Sequence, residues 1–166
     1  LCEVWNVNNH SHETNTRHRL DLTLQYLDDD TIDEWVGFEQ EYTLYEKGWP
    51  YGWPSREEPA PQGDYYCGRN VGESIMRKHM NACIQAGISI CGTNAEVMLG
   101  QWEYQVFSQG KLKGGDDLWM TRYFLLKIAE KYGYHIELHP KPITHGEWNG
   151  SGLHTNFSTD MMRFGG

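Results

Sequence analysis

The stretch Trp35-Val36-Gly37-Phe38-Glu39-Gln40-Glu41-Tyr42-Thr43-Leu44 constrains this chain more than any other. At a period of two, Val36, Phe38, Tyr42 and Leu44 share one face of a strand, and Trp35, Gly37, Glu39, Glu41 and Thr43 share the other. The first is a core face. The second sets two carboxylates side by side, ~7 Å apart at about 3.3 Å per residue. Adjacent anions on a half-buried sheet repel, so a proton or a cation has to neutralise them. A hard divalent cation bound through carboxylate oxygens does so directly. Two solvated surface glutamates are the other reading of this spacing, and the flanking aromatics weigh against it.

The chain has 166 residues, enough for one domain with its own core. Seven Trp in a composition that is 39% apolar exclude intrinsic disorder. A net charge of −9 argues against nucleic acid or an anionic membrane as partner, and suits a site that gathers cations. No apolar run approaches the ~20 residues of a membrane helix, and no signal-peptide pattern opens the chain. Cys2, Cys67, Cys83 and Cys91 form no Cys-x-x-Cys pair and stand in apolar contexts. That is the habit of reduced structural thiols, and it points to a cytoplasmic protein. The first residue is Leu, and the chain reads as a segment of something longer.

Around the central strand, Leu1 to Trp5 is strand-like and Asn8-Asn9-His10 is a turn. Asn15 or Thr16 caps a helix over 16–27 with Leu20, Leu24 and Leu27 as its stripe. From 47 to 69 the density of Pro and Gly leaves no room for a regular element, yet Trp49, Tyr51, Trp53, Tyr65 and Tyr66 predict an ordered loop. A second helix spans 71–86, with Gly87 as terminator. Residues 88–104 read as strand, turn, strand. Asp116 or Asp117 caps a third helix ending at Tyr132-Gly133, and strands follow at 134–138 and 154–158. No internal repeat or domain linker interrupts the chain.

Three further groups join the first carboxylate pair. Glu96 and Glu103 stand seven apart, an odd spacing that would turn them to opposite faces of one continuous strand. A turn at Leu99-Gly100 would make a hairpin and bring both to one site; surface charge is the competing reading. His154 follows Gly150-Ser151-Gly152, where glycine lets backbone approach a ligand and a neutral imidazole can serve as a metal ligand. A purely structural histidine is its alternative. Asn156 and Ser158 share the strand face of His154 and offer hydrogen bonds to phosphate or ribose; polar alternation on any one-sided strand looks the same. There is no Gly-x-Ser-x-Gly, no Gly-x-x-x-x-Gly-Lys and no Gly-x-Gly-x-x-Gly after a strand. Several carboxylates without a nucleophile motif favour metal-assisted phosphoryl transfer.

These residues sit in phrases that resemble the catalytic part of glutamine synthetase, of the eukaryotic-type (second) class. The phrases are the 35–44 stretch, Pro59-Ala60-Pro61-Gln62-Gly63-Asp64-Tyr65-Tyr66-Cys67-Gly68, Gly92-Thr93-Asn94-Ala95-Glu96-Val97-Met98 with Gln101-Trp102-Glu103, Asp117-Leu118-Trp119-Met120, and Trp148 to Thr159. Leu1-Cys2-Glu3-Val4 and Asn15-Thr16-Arg17-His18 match as well, so the likeness runs nearly end to end.

The resemblance implies an α+β fold: a curved antiparallel sheet whose inner face forms a metal-lined basin, with helices packed outside. It implies a ligase that condenses L-glutamate and ammonia to glutamine at the expense of ATP, through γ-glutamyl phosphate, with two or three Mg²⁺ or Mn²⁺ ions per site. Glu41, Glu96 and Glu103 would hold the ion on the glutamate and ammonia side, and Glu39 and His154 the ion at the ATP phosphates. Glu39, Glu103, Gln105, Ser108, Asn156, Phe157 and Ser158 would line the nucleotide. Trp148, Asn149, Gly150 and His154 would meet glutamate. The family assembles as stacked rings of subunits with sites at their interfaces. A catalytically silent relative, or a ligase that joins glutamate to another amine, would carry the same phrases.

The sequence departs from the family pattern in several places. The small N-terminal β-grasp domain and the later stretch with the phosphate-binding arginines are absent, so residues 1–166 alone are expected not to turn over. Leu99-Gly100 replaces a Pro followed by a small residue. Thr144-His145-Gly146-Glu147 departs from a short Gly-containing link, which puts Glu147 in doubt as a substrate contact.

Overall fold

The computed structural model describes residues 1–26, 33–54, 58, 71–110, 112–146 and 148–165. Its centre is β1 (Trp35–Glu46), the strand that the alternating pattern announces. On one side β1 pairs antiparallel with β4 (Gln101–Gln109), which in turn pairs with β3 (Ile90–Ala95). On the other it pairs with β6 (Leu153–Ser158) at its first half and β5 (His135–Glu137) near its end. β2 (Trp49–Pro50) folds back on Tyr45 and Glu46. This is a correction to the loop expected over 47–69, since two of its residues do join the sheet. Every pairing is antiparallel, and the sheet is open.

The even-numbered face of β1 is the core face. Tyr42 and Leu44 pack there with Trp102, Tyr104 and Val106 of β4 and Ile136 of β5. Against them lie α2 (Glu73–Gln85), through Ile75, Met76 and Cys83, and α3 (Lys113–Lys131), through Leu125 and Ala129. Leu44 and Leu125 are fully buried, and truncating either to Ala should cost about 2–5 kcal/mol. These two helices therefore cover one face of the sheet and leave the odd face, with its glutamates, uncovered by them.

Local chemistry sets the element ends. Asn15 caps α1 (Thr16–Tyr26), its Oδ1 accepting from the His18 N–H at 3.1 Å. The expected Leu stripe of α1 has no buried residue, and Leu20 is exposed; Leu27 lies outside the described residues. Gly87, at φ 76°, closes α2 while the Ile88 N–H returns to the Cys83 carbonyl. α3 begins at Lys113, earlier than Asp116 or Asp117 would place it. Neither aspartate is its cap: Asp116 binds Arg17, and Asp117 is buried, accepting from Ser108 Oγ at 2.8 Å and from Lys113. A short helix α4 (Asp160–Phe164), capped by Thr159, follows β6. Among the described residues, Leu1 to Trp5 forms only one bridge, Trp5 to Ser11.

No helix among the described residues is long and apolar enough to cross a membrane. Of the cysteines, Cys83 is buried, whereas Cys2 and Cys91 are exposed free thiols, contrary to the apolar setting expected for them. Cys67, with the rest of the 59–68 phrase, lies outside the described residues.

Candidate metal and substrate site

The strand register assembles the site. Glu41 stands directly opposite Glu103, and Glu39 opposite Gln105 across the same ladder. Across the other edge of β1, Glu39 stands opposite His154 and Gly37 opposite Asn156. Residues opposite each other share a face, so the odd face of β1 gathers Glu39, Glu41, Glu103, Gln105, His154 and Asn156. The hairpin that the Glu96 to Glu103 spacing requires is present. Glu96 follows β3 directly, its N–H donates to the Gln101 carbonyl at 2.9 Å, and Gly100 turns the chain at φ 87°. Single carboxylate oxygens of Glu41, Glu96 and Glu103 all lie within 4.8 Å of one another.

The electrostatics follow from that crowding. The Glu96 carboxyl is pushed up to about 6, first by burial and then by the charges of Glu41 and Glu103. Glu103 is also raised, again by burial first; Gln105 opposes the shift by donating to it, and Glu39 and Glu41 add to it. Amides orient the acids. Asn94 Nδ2 donates to Glu96 Oε1 at 2.9 Å, and Gln105 Nε2 donates to Asn94 Oδ1 at 2.7 Å. Asn156 Nδ2 donates to Glu39 Oε1 at 2.6 Å, and the Gly152 N–H donates to Glu41 Oε2 at 2.7 Å.

Beside the acids lies an open cleft lined by Glu41, Pro140, Asn149, Gly150, Gly152 and His154. The glycine segment is held from beneath. Gln101 Nε2 donates to the Gly150 carbonyl at 2.9 Å, and the Ser151 N–H donates to the Pro140 carbonyl at 2.8 Å. At Gly152 a Cβ would come within 3.2 Å of the His154 ring, so any larger residue here would press on that ring.

Among the residues expected at this site, Glu39, Glu41, Glu96, Glu103, Gln105, Asn149, Gly150, His154 and Asn156 come together on or beside the odd face. Ser158 shares that face at its far end, opposite Trp35. Three residues do not join them. Ser108 and Phe157 both pair with Val36, on the even face, because each stands an odd number of residues from a site-facing neighbour. The Ser108 hydroxyl is spent on Asp117. The Trp148 ring packs on Trp53 with centroids 4.6 Å apart, in a separate aromatic cavity with Tyr45, Trp49 and Ile143. Glu147 lies outside the described residues. Sequence reasoning missed Asn94, Gln101 and Gly152. Only the strand register reveals the first two: Asn94 stands opposite Glu103, and Gln101 opposite Thr43.

The family described as "Glutamine synthetase, catalytic domain" matches residues 13–162. A glutamine synthetase of Fusarium solani subsp. phaseoli is 49% identical, over 98% of this chain and 46% of its own length. One of Xenopus laevis is 47% identical, over 100% of this chain and 43% of its own. The chain thus spans about half the length of the curated relatives it matches. A cryo-EM structure of Plasmodium falciparum glutamine synthetase shares the fold, with a TM-score of 0.78 over 94% of this chain and 36% of that one, at 17% identity.

Proposed function

The chain belongs to the glutamine synthetase catalytic-domain family, and from that premise we propose that the protein carrying it joins ammonia to L-glutamate at the expense of ATP, by way of γ-glutamyl phosphate. The observation that carries this reading is the convergence of Glu41, Glu96 and Glu103, which reach one point from two strands and a hairpin turn. Three hard oxygen donors on one patch, two of them raised in pKa by burial and by their neighbours, fit Mg²⁺ or Mn²⁺.

In this reading Glu41, Glu96 and Glu103 hold a cation on the glutamate and ammonia side. Glu39 and His154, opposite each other in the ladder, hold a second toward the ATP phosphates. When bound, the cations offset the charge on the phosphoryl group as it transfers. The chain's own groups bind and align. Asn149 and Gly150 present the cleft wall to glutamate, and alignment of its carboxylate converts an encounter into a held geometry. Gln105, Asn156 and Ser158 extend along the same face for the nucleotide. Ser108, Phe157 and the ring of Trp148 lie off this face.

The proposal extends to a homo-oligomer of stacked rings, with a neighbouring subunit completing each site, as the family resemblance implies. It also extends to a cytoplasmic location, which the thiol content of the sequence supports. The test is phosphate release by the full protein carrying this chain. Release that requires glutamate, ammonia and ATP together supports the reading. Release without glutamate contradicts it, and equal product with ethylamine in place of ammonia would reassign the acceptor.

A further inference from the structure

Gln40 lies on the core face of β1 between Phe38 and Tyr42, where the alternation calls for an apolar residue, and it is 3% exposed. Its amide is fully used. The carbonyl oxygen accepts from Arg122 Nε at 2.8 Å and also from Arg122 Nη2. The NH₂ group donates to the Glu41 carbonyl at 2.7 Å and to the Gly152 carbonyl at 3.3 Å. Because a guanidinium only donates and a backbone carbonyl only accepts, the amide has one workable orientation. Arg122 itself is set on α3 with its guanidinium over the Trp119 ring, 5.3 Å from the centroid.

Gly152 is thereby gripped from two directions. Its carbonyl takes the Glu41 N–H at 3.0 Å together with the Gln40 amide, and its own N–H donates to the Glu41 carboxylate. We propose that Gln40 and Arg122 are positioning residues, a half-buried link from α3 that fixes Gly152 and, through it, the carboxylate of Glu41 and the glycine segment of the cleft. The buried Gln40 amide has every partner it needs, and losing one would leave a polar group unmet in the core. The consequence for metal binding rests on the reading of Glu41 as a metal ligand; the consequence for Gly152 does not.

Gln40→Glu keeps the volume and the acceptor for Arg122 but replaces the donating NH₂ with an oxygen facing two carbonyls. Two readouts on the full protein carrying this chain test the proposal: amide hydrogen exchange of the segment containing Gly152 by mass spectrometry, and Mn²⁺ affinity by electron paramagnetic resonance. The expected result is about tenfold faster exchange at Gly152 and about tenfold weaker Mn²⁺ binding, the lower end for loss of a group that orients a metal ligand. Simple electrostatics has the opposite sign, since an added anion near the acids strengthens cation binding. Thr121→Val, which removes a buried hydroxyl one residue from Arg122, should move neither readout.

If Gln40→Glu does not fold, Arg122→Lys keeps the charge and removes the guanidinium fork, with a smaller change in the same direction. Unchanged Gly152 exchange in a folded variant overturns the proposal, as does an equal effect of Thr121→Val. Faster exchange in a chain that binds no Mn²⁺ even as wild type leaves the link standing and removes the metal reading instead.

Discussion

Glu41 and Glu103 face each other directly across the β1–β4 ladder, so the pairing that builds the sheet also sets two anions opposite one another. Like charges in that position destabilise a sheet by roughly 0.2–1 kcal/mol. With metal removed by chelator, Glu103→Gln should therefore melt higher than wild type, while binding Mn²⁺ more weakly. A variant that melts lower in chelator and keeps its metal would show that the pair is not under repulsion. Differential scanning calorimetry with and without Mn²⁺ reads both halves.

Glu96 titrates at about 6 in the folded chain, above the ordinary 4.5 of a glutamate. Between those values the folded state holds the proton more than the unfolded state does. Stability from this group is therefore present at low pH and lost as pH rises toward about 6. In chelator, wild type should lose stability relative to Glu96→Gln between about pH 4.5 and pH 6. Mn²⁺ affinity should rise over the same interval, because the ligand must be ionised. Parallel melting curves of the two proteins across that range would contradict the assignment.

His79 has the reverse sign. It is fully buried on α2, edge-on to Tyr104, with Nε2 at 3.0 Å from the Thr121 carbonyl, and burial holds it down to about 4. The unfolded chain takes up a proton near the ordinary 6.5 while the folded chain does not, so stability falls as pH drops from about 6.5 to 4. His79→Gln should flatten that acid limb in a thermal melt and leave Mn²⁺ binding unchanged. The residue is a core histidine.

Gly100 joins Glu96 to Glu103 at φ 87°, and a Cβ there would stand 2.7 Å from the Tyr51 carbonyl oxygen. Gly100→Ala should destabilise the chain by about 1–3 kcal/mol, through the left-handed backbone and the close contact together. Urea denaturation followed by circular dichroism measures it, and a change under about 0.5 kcal/mol would mean the turn has room.

Much of this was legible in the sequence because β1 alternates strictly at its charged positions. Once Glu39 and Glu41 share a face, a hairpin is the economical way to bring the odd spacing of Glu96 and Glu103 to the same side. What was not legible was pairing across strands. Ser108 and Phe157 enter through the family resemblance, and only the register with Val36 shows that alternation turns them away. Gln40 interrupts the apolar core face, and its partner Arg122 stands 82 residues later, beyond any local pattern. Asp117 resembled a helix cap from its place in the sequence. Burial against Ser108 and Lys113 gives it another use, and the helix starts one turn earlier.

The measurement that bears most directly on the site is the Mn²⁺ affinity of this chain and of three single variants, by isothermal titration calorimetry. Glu41→Gln and Glu96→Gln each remove one oxygen ligand of the converging set, whereas Glu46→Gln changes an exposed glutamate at the far end of the same strand. The account predicts that the first two weaken binding by at least about tenfold and that Glu46→Gln stays within about twofold of wild type. Equal losses in all three would reduce the effect to net charge and contradict a metal site at Glu41, Glu96 and Glu103.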